Sequence, residues 1–97
     1  MLNSKQRSNL RSQASKIEVI AQIGKLGIND NLIKSLSDAL EARELIKIRV
    51  LLNNDDDVKE IGVELAEKLN AEFVAPTGRT IVLYRRSSRK EFPHLTF

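Results

Sequence analysis

Cysteine is absent from this 97-residue chain, and aromatic side chains make up only 4% of it. Without cysteine there is no disulfide and no thiolate-bound zinc, and a reducing cytoplasm is the expected compartment. Histidine occurs once, as His94, close to the end of the sequence. There it is expected to be solvated rather than catalytic, and no cysteine–histidine cluster exists to hold a transition metal. The scarcity of aromatics argues against a base-stacking sheet such as that of the RRM, because Tyr84 alone falls firmly within a strand. No apolar run reaches the roughly 20 residues that span a membrane. The start, Met1 to Lys16, is polar and basic and does not read as a secretory signal. An enzyme, a cofactor, a small-molecule substrate and a membrane partner are all therefore unexpected.

What is present is a charge pattern. The net charge is only +3, yet it is unevenly distributed. Residues 1–16 carry Lys5, Arg7, Arg11 and Lys16 with no acid, while residues 17–54 balance. Residues 55–72 hold Lys59 and Lys68 against seven acids, and residues 73–97 hold five bases against Glu91. Both ends are positive and one internal stretch is negative, so one side of the molecule suits a polyanion.

Hydrophobic periodicity gives the order α-β-α-β-α-β-β in a single α/β domain, with a core over about 2–86 and a basic tail over 87–97. Asn3 or Ser4 caps a polar first helix running to about Ser15. Ile17 to Ile23 alternates as a strand. Asn29 or Asp30 caps a second helix with Leu32, Ile33, Leu36, Ala39 and Leu40 on one face, closed by Arg43 and Glu44. Ile46, Ile48, Val50 and Leu52 point inward from a second strand, and Lys47 and Arg49 point outward. Asn53 to Asp56 forms a turn. Asp57 caps a third helix, and the aspartates at 55–57 suit capping better than cation binding. Glu72 to Ala75 is a short edge strand stopped by Pro76. Arg79 to Arg85 is an interior strand, returned antiparallel by the Pro76–Gly78 turn. Two β-α-β units set the first three strands parallel and place the second and third helices on one sheet face. Lys47, Arg49 and part of the last strand then lie open on the other. Phe92 and Pro93 are expected to pin the tail.

Chemistry concentrates in Gly24-Lys25-Leu26-Gly27. This loop has a glycine at each end, a lysine inside, and a helix starting just after it. Glycine reaches positive φ and lets a ligand approach the backbone. The first turn of the helix adds unpaired N–H groups, so a phosphate suits the corner. The loop is too short for a Walker motif, which needs more residues between its glycines and a following Lys-Ser/Thr. It leaves a strand, whereas the G-x-x-G of a KH domain joins two helices. It sits at the C-terminal edge of a parallel sheet, where ligands collect in open α/β folds.

The residues flanking this loop carry a resemblance. Ser4-Lys5-Gln6-Arg7 and Leu10-Arg11 precede Ile23-Gly24-Lys25-Leu26-Gly27-Ile28. Asn31 to Lys34, Ala39 to Lys47 and Gly78 to Arg85 then follow in order. Over about residues 2–86 the chain resembles the YhbY family, the stand-alone bacterial form of the CRM domain (chloroplast RNA splicing and ribosome maturation). The resemblance implies a four-stranded mixed sheet of order 1-2-4-3, like the C-terminal domain of translation initiation factor 3. It implies a non-enzymatic RNA-binding module that associates with ribosomal RNA in precursors of the large ribosomal subunit. RNA contact is thereby expected at Gly24, Lys25, Leu26 and Gly27, and at Lys5, Arg7, Arg11, Lys47, Arg49, Arg79 and Arg85. Two other readings stand beside this one: a regulator that binds mRNA or intron RNA through the same surface, and a protein-docking module using the acidic third helix. A cytoplasmic monomer without cofactor or metal is expected.

Overall fold

In the computed structural model, which describes residues 2–51, 57–89, 91 and 93–97, each helix begins at a side-chain cap. Asn3 caps α1 (Ser4–Ala14) in a reciprocal box, accepting from the Gln6 N–H at 2.8 Å while Gln6 Oε1 accepts from the Asn3 N–H at 3.1 Å. Asn29 caps α2 (Asp30–Arg43) through the Leu32 N–H at 2.8 Å. Asp57 caps α3 (Val58–Leu69) through the N–H groups of Lys59 and Glu60. Such caps satisfy donors that the first helical turn leaves unpaired.

The strands are β1 (Ala21–Ile23), β2 (Leu45–Val50), β3 (Glu72–Thr77) and β4 (Thr80–Tyr84). They form one mixed sheet of order β1-β2-β4-β3. β1 is parallel to β2, while β4 is antiparallel to both β2 and β3. The first three strands therefore run in one direction, but β4 separates β3 from β2. β4 is interior and apolar, and β3 is an edge strand. The expectation that Pro76 stops β3 is corrected: the strand continues through it to Thr77, with Pro76 opposite Ile81. An edge strand pairs on one side only, so it tolerates a residue without an N–H.

β1 is also shorter than its alternating sequence implies. Only Ala21–Ile23 is strand, although the Ile20 N–H still donates to the Lys47 carbonyl at 3.0 Å. Ile17 packs instead with the α1 side of the sheet, while Ile20 and Ala21 pack with the other. The chain crosses the sheet edge there, and the alternation is lost with it.

Two apolar clusters sandwich the sheet. Ile23, Ile46, Ile48, Val50, Ile81 and Leu83 meet Leu36 and Leu40 of α2 and Ile61, Leu65 and Leu69 of α3. Each such side chain, fully buried, contributes about 1.5–3 kcal/mol. On the opposite face Leu45, Val74, Ala75, Val82 and Tyr84 meet Leu10 and Ala14 of α1, with Leu95 and Phe97 of the tail beside them. This face was expected to lie open. α1 and the tail cover much of it, because its strands carry buried apolar residues between the cations.

The tail is held by the side chain of Glu44. Glu44 ends α2 at φ 66°, a positive value that is costly away from glycine. Its carboxylate is fully buried and accepts from the Ser87 N–H at 2.7 Å, the Leu95 N–H at 2.8 Å and the His94 ring. An ionised carboxylate only accepts, so His94 Nδ1 carries the proton. Phe97 stacks edge-on against Tyr84 at 4.8 Å between ring centroids. His94 is thus half-buried and paired, not solvated. The expected Asn53–Asp56 turn, Leu52, Lys90 and Phe92 lie outside the described residues.

Candidate nucleic-acid interface

The Gly24–Gly27 loop leaves β1 as a tight turn, with the Gly27 N–H donating to the Gly24 carbonyl at 3.0 Å. Gly27 has φ 69°, the conformation for which glycine is suited. Lys25 and Leu26 occupy the apex, both exposed, and Leu26 is 90% exposed. The turn delivers the chain to Asn29 and the start of α2. Backbone, ammonium and helix N-terminus are therefore neighbours at the end of the sheet where β1 and β2 finish.

The eleven expected contact residues divide into two groups. Lys5, Arg11, Lys25 and Arg49 are solvent-exposed, with Gly24, Leu26 and Gly27 in the turn beside Lys25. The remaining cations are engaged by backbone carbonyls. Arg7 donates to the carbonyls of Phe73 and Val74, where β3 bulges, and so fastens α1 to the edge strand. Arg79 donates to Val50 at 2.9 Å and Leu51 at 2.7 Å, closing the end of β2. Arg85 reaches Leu69 at the end of α3 and Ser37 in α2, both at 2.9 Å, and pairs with Glu41 at 3.4 Å. Lys47 donates to Ala14 at 3.1 Å and Ile17 at 3.4 Å, capping the exit of α1. Helix ends and bulges leave carbonyls that need donors, and a long cation meets that need while its charge opposes the helix dipole.

This division predicts different outcomes for two arginines one turn apart. Arg7→Ala should lower stability by about 1–2 kcal/mol, the scale of charge-assisted hydrogen bonds, and be seen as a lower urea midpoint. Arg11→Ala should leave the midpoint within about 0.5 kcal/mol. A loss of stability in both variants, or in neither, would contradict these placements.

Glu41 and Glu44 tune the tail's attachment. The Ser88 hydroxyl bond is the largest influence on Glu41, and together with Arg85 it holds that carboxyl below its ordinary value. Burial pushes Glu44 up, but its bonds to His94, Leu95 and Ser87 outweigh this, so its net shift is downward. Burial raises Tyr84. Glu44, Arg85 and the tail thus form a structural unit. Only the helical spacing from Glu41 to Glu44 hinted at it in the sequence.

The sheet also assembles a row that strand-by-strand reading passes over. Gln22 pairs with Arg49, Arg49 with Thr80, and Thr80 with Thr77, so four polar residues cross the α1 face in register. The row lies at the same end of the sheet as the Gly24–Gly27 turn. The signal was present in β4, where Thr80 precedes the inward-facing Val82 and Tyr84 at period two. α3, with exposed Glu60, Glu64 and Glu67, packs on the opposite face of the sheet from Arg11.

These features define a small α/β module, three helices on a four-stranded mixed sheet, with a cationic glycine turn at one sheet edge. Residues 2–85 match the model of the CRS1 / YhbY (CRM) domain, and the chain belongs to that family. It is similar to the probable RNA-binding protein YqeI of Bacillus subtilis, 44% identical over 91 residues, covering 94% of this chain and 95% of that protein. A probable RNA-binding protein of Methanocaldococcus jannaschii is 35% identical over 88 residues, which cover 87% of this chain and 63% of the relative. The solution structure of the hypothetical protein SAV1595 from Staphylococcus aureus superposes with a TM-score of 0.79. It is 50% identical in sequence, with 94% of this chain and 95% of that one covered.

Proposed function

We propose that this protein binds ribosomal RNA, chiefly through its sugar–phosphate backbone, within precursors of the large ribosomal subunit, and acts in their assembly without catalysis. The observation that carries the reading is the separation of charge by the sheet. Exposed Lys5 and Arg11 lie on the α1 side, and exposed Arg49 lies on that same face. Exposed Glu60, Glu64 and Glu67 belong to α3, behind the sheet. Phosphates are attracted to the first surface and repelled by the second. Family membership and relatives named as probable RNA-binding proteins support an RNA ligand. The resemblance to YhbY supports ribosomal precursors as its source. In this reading the protein works in the cytoplasm as a monomer.

Sedimentation of cell extract through sucrose, with and without nuclease, tests the reading. The protein should travel with large-subunit precursors and return to the top of the gradient after nuclease. Retention on particles stripped of accessible RNA would favour docking through α3. Sedimentation with mRNA or intron RNA alone would favour the regulatory alternative.

Salt provides an independent check. Contact with about four to six phosphates, each adding roughly 0.7–0.9 to the slope, gives a log–log salt dependence of about 3 to 5. Affinity that stays flat between low and moderate salt would refute backbone-directed binding.

A further inference from the structure

We propose that the sheet face between α1 and the β3–β4 hairpin is a groove that reads the 2′-hydroxyl groups of an RNA strand, giving this protein a preference for RNA over DNA. This rests on the RNA-binding reading above and adds a chemical basis for discrimination. The groove encloses about 560 Å³ and is lined by Arg11, Ser15, Lys47, Thr77, Thr80 and Val82, among others, with no acidic side chain among the described residues. It lies where α1 ends and stops covering the sheet. The register continues its floor to Arg49 and Gln22, so the polar row crosses four strands. At about 4.8 Å per strand the row is roughly 14 Å long, enough to underlie more than one nucleotide.

The side chains fit a sugar–phosphate backbone better than a base. Among the described residues no aromatic ring lines the groove. Tyr84 is buried against Phe97, and Phe73 packs into the core on the other face. Base stacking therefore has no platform there. Thr77 and Thr80 face each other across the hairpin closed by Gly78 (φ 60°), so their side chains are about 5 Å apart. Neither hydroxyl bonds to a described residue, and each can donate one hydrogen bond and accept two. Lys47 directs two N–H groups to Ala14 and Ile17 and retains a third. Hydroxyls flanked by cations match a ribose flanked by phosphates. The 2′-hydroxyl, donor and acceptor at once, is the group that separates RNA from DNA.

The test titrates the full chain with short single strands of one sequence bearing 2′-hydroxyl, 2′-fluoro or 2′-deoxy sugars. The parent should bind the hydroxyl strand roughly tenfold more tightly than either other, the scale of one to two hydrogen bonds. The fluoro strand retains the ribose pucker but cannot donate, so it isolates the hydroxyl from sugar shape. In Thr77→Val with Thr80→Val, which keeps β-branched side chains suited to strands, the preference should fall to near unity while deoxy binding stays unchanged. Equal binding of all three strands by the parent overturns the proposal, as does a folded double variant that keeps its preference. If the parent binds no strand at all, the RNA-binding reading fails first and the groove with it. Binding with an unaltered preference in the variant removes the groove alone. The sugar series on the parent needs no substitution, so it can overturn the proposal even if the variant fails to fold.

Discussion

Replacing Glu44 with alanine should cost about 3–5 kcal/mol, the scale of losing two or more hydrogen bonds to a charged group at about 1.5–3 kcal/mol each. Three donors lose their acceptor together: the N–H groups of Ser87 and Leu95, and the His94 ring. If the tail stayed in place, the buried Ser87 N–H and the half-buried Leu95 N–H and His94 ring would lose their partner, at about 1–3 kcal/mol for a fully buried donor. If it detached, the donors would rehydrate, but Leu95 and Phe97 would leave the apolar cluster beside α1. Either route is expensive, and the positive-φ backbone at residue 44 would remain without its side-chain anchor. Urea unfolding of Glu44→Ala, of a chain ending after Arg86, and of the two combined distinguishes this from a local effect. The combined loss should be far smaller than the sum, because both changes remove the same contacts. Additive losses, or a loss below about 1 kcal/mol for Glu44→Ala, would show that Glu44 does not hold the tail.

The same carboxylate sets a pH dependence. Its folded pKa lies below the ordinary 4.5, because three hydrogen bonds outweigh the effect of burial. A depressed carboxylate stabilises the fold above its unfolded pKa, and that stabilisation is lost as pH falls through the folded value. The parent should therefore lose more melting temperature than Glu44→Gln between neutral and acid pH. Parallel curves would contradict the assignment.

For binding, the largest effects should come from the Gly24–Gly27 turn. Lys25→Glu places a negative charge at the proposed phosphate site. It should lower RNA affinity by about 1–3 kcal/mol, roughly 5- to 150-fold. Lys25 is exposed at the apex of the turn, so the melting temperature should hardly move. Gly27→Asp should weaken binding more, because it adds a Cβ and a charge where backbone approaches the ligand. It should also cost about 1 kcal/mol of stability, since φ is 69°. That cost is backbone strain and not a clash, because a Cβ there meets nothing within 4 Å. Isothermal titration with a ribosomal RNA fragment, beside thermal melts, reads both effects. A folded Lys25→Glu variant with normal affinity would remove the turn from the binding site and leave its glycines a purely conformational role.

Much of this molecule was decided by sequence alone. Helix starts at Asn3, Asn29 and Asp57, the apolar stripes of α2 and α3, and the period-two pattern of β2 and β4 are local properties. Capping and periodicity act within a few residues, so they can be read without knowing the fold. The strand order followed from the resemblance, and the sheet has it. Tertiary structure decided which cations remain exposed. Arg7, Arg79, Arg85 and Lys47 read as a basic surface, yet each meets carbonyls that exist only once helix ends and strand ends are packed together. Packing likewise brought Gln22, Arg49, Thr80 and Thr77 into one row from three separate segments of chain. It also buried Glu44 beside a tail more than forty residues away in sequence. Composition fixes how much charge a chain carries. Whether a given charge meets solvent or a carbonyl depends on which backbone groups the fold leaves without partners, and that is a property of the packed structure.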